Sequence, residues 1–112
     1  MKYFKTEQGK LVNLIEYTLD VIRNNPETRI YIGSDSQNYS DKTKFVTCVC
    51  YRWAGRRGVH YIFKKESEQR ISDNYTRLYQ EGVKTMEVLS EFDDYPIKIE
   101  SVEFDFNNIK KT

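Results

Sequence analysis

Apolar and polar positions recur with two different periods along this chain. In residues 9–24, GKLVNLIEYTLDVIRN, the positions Leu11, Leu14, Ile15, Thr18, Leu19 and Ile22 repeat at three- and four-residue spacing. That spacing predicts an amphipathic helix. The run NNPE then stops it, since Pro cannot continue a helix interior. Residues 28–34 read as a short apolar strand, and SQNYSDK, rich in turn formers, reads as a loop. Residues 43–53, TKFVTCVCYRW, carry the β-branched and aromatic residues of a strand. AGRRG is a hairpin tip, and VHYIFKKE (59–66) is the returning strand. Residues 71–92 predict a second, longer helix that DDYP ends. At about 100° per residue, Ile71, Tyr75, Leu78, Met86 and Leu89 share one face, with Gly82 near its middle. Residues 97–106, IKIESVEFDF, alternate as a fourth strand.

The predicted order is therefore helix, strand, strand, strand, helix, strand. Three consecutive strands can form an antiparallel meander. A helical crossover can then bring the fourth strand parallel to the first. The expectation is an α/β domain: a mixed sheet with helices packed on it. A length of 112 residues allows one domain at most.

Composition narrows the classes. Hydrophobic residues make up 38% and aromatic residues 14%, which argues against disorder. The 18 basic and 17 acidic side chains nearly cancel, so no global field advertises a polyanionic partner. Any nucleic-acid contact must come from a local patch. No apolar run approaches the roughly 18 residues of a membrane span, and no apolar core follows the lysines of MKYFKTEQGK as in a signal peptide. Cys48 and Cys50 are two apart on a strand and point to the same face, which disfavours a bond between them. They read as reduced thiols of a cytoplasmic protein.

The candidate chemistry lies in carboxylates. Asp35 stands between two serines in GSDSQ, and Asp105 stands in FDF. Parallel neighbouring strands would bring both to the same end of the sheet, where open α/β sheets place their sites. The plainer readings are a turn cap and a solvated strand-end carboxylate. On the second helix Glu81 lies at the rim of the apolar face, whereas Glu87 points nearly opposite. Glu81 is thus the better third carboxylate, its plainer role being a surface pair with Arg77 four residues earlier. Ser34, Ser36 and Gln37 offer substrate contacts or ordinary loop polarity. Arg56 and Arg57, with Trp53 nearby, form the best local nucleic-acid contact: Arg pairs bidentately with phosphate and Trp stacks on bases. An ordinary hairpin end explains them as well. His60 reads as structural. With Cys48 and Cys50 it offers three zinc ligands but no evident fourth. Glu91, Asp93 and Asp94 follow the helix C-terminus, where the dipole disfavours anions, and read as solvated loop.

The stretches IGSDSQ, RLYQE (77–81) and VEFDF together resemble the ribonuclease H-like fold. More narrowly, they resemble the YkuK-type family of ribonuclease H-like proteins. The resemblance covers about residues 28 to 107. That family usually has His two places before its second Asp; here Glu103 stands there. The resemblance implies divalent-metal-dependent hydrolysis of a nucleic-acid phosphodiester, with Asp35, Glu81 and Asp105 holding Mg²⁺ or Mn²⁺. Two such metals sit about 3.5–4 Å apart and clamp the attacking and leaving oxygens. Enzymes of this fold continue with another strand and a carboxylate-bearing helix, whereas this sequence stops at Thr112. The expectation is thus a truncated or shortened ribonuclease H-like domain that binds metal with little turnover. The alternative is a non-catalytic binding or assembly module whose bare sheet edge pairs with another copy.

Overall fold

The computed structural model describes residues 3–53 and 59–103, with Glu103 described in its backbone alone. In chain order the elements are β1 (Tyr3–Thr6), β2 (Leu11–Asn13), α1 (Leu14–Asn24), β3 (Arg29–Asn38), β4 (Lys42–Arg52), β5 (Val59–Gln69), α2 (Asn74–Ser90) and β6 (Ser101–Glu103). They form one six-stranded sheet in the order β2-β1-β5-β4-β3-β6. Strands β3, β4 and β5 are the expected antiparallel meander. Strand β6 lies parallel to β3, as the α2 crossover predicted. The architecture is a mixed α/β sheet with two helices.

The N-terminal third departs from its periodicity. Leu11–Asn13 is a strand, not the first turn of the helix, and it pairs antiparallel with β1. Gly9, at φ +87°, makes the turn between them, and the Gly9 N–H donates to the Thr6 carbonyl at 2.9 Å. A three-residue strand is too short to show alternation, so the helical spacing absorbed it. The helix proper starts at Leu14, with Asn13 accepting from the Glu16 N–H at 3.0 Å as its N-cap.

Strand β3 also runs further than its apolar residues do. It continues through SDSQN to Asn38, and the residues expected as a loop pair with β4 as far as Asn38 opposite Thr43. Small hydroxyl residues can stay in a ladder when their side chains find partners, and here they do. The Ser34 Oγ lies 3.0 Å from Thr47 Oγ1 and 2.8 Å from Thr85 Oγ1, all buried. The Asn38 side chain donates to the Ile71 carbonyl at 3.0 Å, and the Ile71 N–H donates to Thr43 Oγ1 at 2.8 Å. These bonds anchor the entry to α2 on the β3–β4 hairpin.

Both helices cover the same sheet face. It is built from the even positions of β3, the odd positions of β4 and the even positions of β5. Ile30, Ile32, Val49, Tyr51 and Ile62 form its apolar centre with Phe4, Leu14, Val88 and Phe92. Thr18 of α1 and the Tyr51 hydroxyl share a buried hydrogen bond of 2.7 Å. Burial drives the Tyr51 phenol above its ordinary range, so the group stays neutral.

The rotation of α2 overturns the expected face. Glu81, Lys84, Thr85 and Val88 are buried, whereas Tyr75 is 80%, Tyr79 64% and Met86 49% exposed. The sheet beneath α2 presents Ser34, Ser36, Thr43 and Thr47, so hydrophilic side chains match it better than the apolar stripe would. Of the expected apolar face, Leu89 packs against the core and Leu78 is half-buried, whereas Tyr75 and Met86 mark the outer side. Glu87 is exposed as expected, because it lies off the Glu81–Lys84–Thr85–Val88 face that the helix buries.

This assignment is checked by unfolding in urea. Val88→Ala should cost about 1–3 kcal/mol, because it empties a fully buried site. Tyr75→Ala should stay within about 0.5 kcal/mol of the parent. Equal losses in the two variants would mean that α2 is seated the other way round.

Candidate metal centre at the edge of β3

Ser36 brings two of the three expected carboxylates together. Its N–H donates to Asp35 Oδ1 at 2.8 Å, and its hydroxyl donates to Glu81 Oε2 in a short hydrogen bond. The direction of the Ser36 N–H follows from the ladder. The Tyr39 N–H bonds across to Lys42, while the Ile30 carbonyl receives the Glu100 N–H on the opposite side. Odd positions of β3 therefore turn their backbone groups toward β4, and even positions turn theirs toward β6. Described pairing with β6 runs from Tyr31 to Gly33. Beyond it, Ser36 aims its N–H to the β6 side of the strand, and the Asp35 carboxylate curls round to accept it.

Glu81 reaches the same residue from the helix side. It is 4% exposed, and Ser36 is 7% exposed. A carboxylate held this deeply is costly unless its oxygens are satisfied. Lys84, one turn further along α2, pairs instead with Glu66 at 3.6 Å and, at closer range, with Glu68. Burial works against the Lys84 charge, but the Glu68 hydrogen bond and the Glu66, Glu68 and Glu87 charges outweigh it and raise its pKa. The arrangement leaves Asp35, Ser36 and Glu81 as a compact set of hard oxygen atoms at one edge.

The remaining expected residues fall out as follows. Asp105, Arg56 and Arg57 lie outside the described residues. The register sets Gly33 opposite Glu103, and Asp35 and Asp105 each stand two positions further along their chains. Gln37 is exposed. Ser34 is only 1% exposed and bonded to Thr85 and Thr47, so it ties α2 to the sheet and does not face a substrate. Ser36 is buried too, and it acts by holding the two carboxylates. Arg77 sits 3.3 Å from the Asn74 side chain rather than pairing with Glu81.

Among the described residues, no group of three His, Cys, Asp or Glu side chains could hold a metal ion. The zinc combination fails on register. His60 shares the helix-covered face with Tyr51, whereas Cys48 and Cys50 point to the other face. Both cysteines are free thiols. Burial, with Cys50 and Asp35 nearby, pushes the Cys48 thiol up to about 11. His60 stacks on Tyr51 at 4.9 Å and meets Tyr17 edge-on at 5.9 Å. No helix among the described residues is long and apolar enough to cross a membrane.

With this geometry in place, comparison with known proteins supplies the family. The ribonuclease H-like family model matches residues 12–109, nearly the whole chain. The protein belongs to the ribonuclease H-like family, in agreement with the YkuK-type motifs GSDSQ, RLYQE and VEFDF. Searches of curated proteins and of solved structures found no match.

The half-buried imidazole of His60 gives a pH prediction. Burial lowers the His60 pKa below its ordinary 6.5, with Glu7 opposing in part. The unfolded chain thus binds a proton that the folded chain resists. His60's contribution is present above pH 6.5 and is lost as the pH falls below it. Urea unfolding at pH 7.5 and pH 5 should show a drop that shrinks in His60→Phe. An identical drop in that variant would remove His60 from the pH dependence.

Proposed function

We propose that this protein is a divalent-metal-dependent hydrolase of nucleic-acid phosphodiesters, with Asp35, Glu81 and Asp105 as its metal carboxylates. The observation that supports the reading best is the Ser36 bridge. One residue holds the Asp35 and Glu81 carboxylates together at the strand edge to which β6 runs parallel. Hard oxygen donors of this kind suit Mg²⁺ or Mn²⁺. A bound ion would supply an activated water and stabilise charge on the leaving oxygen. The chain's own contribution is positional. Asp35 is fixed by its bond to the Ser36 N–H, and Glu81 is fixed by the packing of α2. Lys84, on the same helix, is engaged by Glu66 and Glu68. Reduced thiols at Cys48 and Cys50 fit a cytoplasmic setting.

Mn²⁺ titration followed by paramagnetic broadening tests the site. Broadening should centre on Asp35, Ser36 and Glu81. Asp35→Asn, Glu81→Gln and Asp105→Asn should each weaken Mn²⁺ binding about tenfold or more, since each removes a charged hard ligand. Glu87→Gln, on the outer side of α2, should bind as the parent does. Broadening elsewhere, or an equal loss in Glu87→Gln, would overturn the metal centre. Cleavage of an oligonucleotide with Mn²⁺ should be weak at most, and what there is should be lost in Asp35→Asn. Metal binding without any cleavage would favour the non-catalytic binding module.

A further inference from the structure

The sheet has a second face, and among the described residues no element covers it. Both helices lie on one side, so the odd positions of β3, the even positions of β4 and the odd positions of β5 look outward. Their composition is unlike that of the chain as a whole. Lys5, Arg29, Lys42, Lys44, Arg52 and Lys65 all stand on this face. Asp35 is the one carboxylate among its described side chains, and it turns toward the strand edge to bond Ser36. The acidic residues of β5 point the other way: Glu66 and Glu68 face α2 and bind Lys84. A chain of formal net charge +1 thus presents one strongly cationic surface.

Aromatic rings are set among these cations. Tyr31, Cys50 and Tyr61 form one cross-strand row, and Gly33, Cys48 and Phe63 form the next. Neighbouring strands lie about 4.8 Å apart, so Tyr31 and Tyr61 stand roughly 10 Å from each other across the cysteine. Small residues floor the middle of the face, and the rings flank them. Tyr61 is 37% exposed, and Lys65 Nζ lies 5.5 Å from the centre of the Phe63 ring. Lys42 and Lys44 both approach the Tyr39 ring, at 5.9 and 5.6 Å.

We propose that this uncovered sheet face is the platform on which a single-stranded nucleic acid lies, its phosphates met by the lysines and arginines and its bases stacked on Tyr31, Tyr61 and Phe63. The charge identifies a polyanion. The rings select unpaired bases, because stacking needs a base face that a duplex keeps buried, and every base offers one. A broad sheet surface also cannot enter a duplex groove, where a helix or a two-stranded ribbon fits. The inference rests on the nucleic-acid reading above and deepens it: the strand crosses the sheet face and leads toward the edge where Asp35 and Glu81 meet at Ser36. It moves the principal nucleic-acid contact from the Arg56–Arg57 hairpin tip to the faces of β3, β4 and β5.

The experiment is fluorescence anisotropy with the full chain in EDTA, using a labelled 16-nucleotide single strand and a blunt duplex of the same sequence. The single strand should bind more tightly than the duplex. Its log K should fall against log salt with a slope of about −0.7 per phosphate neutralised. Lys44→Ala/Lys65→Ala should make that slope shallower by about 1.4, because two phosphates are then no longer neutralised. Tyr61→Leu and Phe63→Leu should each weaken binding by about 5- to 160-fold, the loss of one stacked base, and circular dichroism checks their folding. Arg23→Ala, on the outer side of α1, is the control and should change nothing. The lysine double variant alters half-buried and exposed positions of the face and keeps the test open if a ring variant fails to fold. Preference for the duplex, tighter binding to anionic vesicles than to the strand, or an unchanged slope in the double variant would overturn the platform. Binding in EDTA reports on the face alone, whereas Mn²⁺ broadening reports on the carboxylates alone. Loss of one with the other intact identifies which reading fails.

Discussion

The polar seam between α2 and the sheet is the constraint on which the rest of the structure depends. Glu81 meets Ser36 across it, Thr85 meets Ser34, and Lys84 meets the acidic end of β5. Buried polar groups are costly when unpaired and close to neutral when paired, so a seam of this kind stabilises little but tolerates few alternatives. A one-residue slip of β3 would put Asp35 beneath α2, against Glu81, and turn Ser34 and Ser36 outward. Like charges would then face each other in a water-poor layer. Register, helix rotation and the position of both carboxylates are therefore specified by the same few side chains.

That seam also explains why Tyr75, Tyr79 and Met86 of α2 are on its outside. A helix normally buries its apolar stripe because the surface beneath it is apolar. Here the apolar core is concentrated under α1 and near the C-terminal turn of α2, where Val88 and Phe92 join Ile30, Ile32 and Val49. Toward its N-terminal half α2 rests on hydroxyls, and Tyr75 and Tyr79 are left to solvent. The helix is thus held by apolar packing at one end and by polar pairing at the other. The carboxylate site sits at the polar end.

The long, strongly patterned parts of this fold are legible in the residues. The β4–β5 hairpin shows β-branched and aromatic runs on both arms, and the crossover places β6 beside β3 with no further information. Three features are not legible, each for a physical reason. Strands β1 and β2 are too short for their alternation to rise above the helical spacing that follows, and Gly9 alone marks their turn. The extension of β3 through SDSQN is hidden because turn-forming residues stay in the ladder only when partners from α2 and β4 satisfy their hydroxyls. The inward face of α2 is hidden because periodicity locates an apolar stripe but not the chemistry of the surface opposite it. At the site, Asp35 and Glu81 are readable as a pair from the family motifs. The residue that joins them, Ser36, reads in the sequence only as a substrate contact or loop polarity.

Net charge hides the second face of the sheet for a related reason. A sum over the chain cannot distinguish interspersed signs from signs sorted by strand parity. In β5 the sequence HYIFKKESEQ looks like an ordinary mixed run. Folding it with period two sends Glu66 and Glu68 toward Lys84 and leaves Lys65 outside with Tyr61 and Phe63. The same sorting in β4 sends Lys42, Lys44 and Arg52 outward and buries Thr43, Phe45, Thr47, Val49 and Tyr51. The carboxylates that would cancel the field are spent on satisfying a buried lysine, so sealing the helix seam and creating the cationic face are two consequences of one alternation. Screening weakens such a field beyond about 10 Å at 0.1 M salt. Arg29 stands opposite Arg52 at one end of the face, and Lys5 and Lys44 stand diagonal to Lys65 nearer the other, so the cations within each group act on a flexible polyanion together.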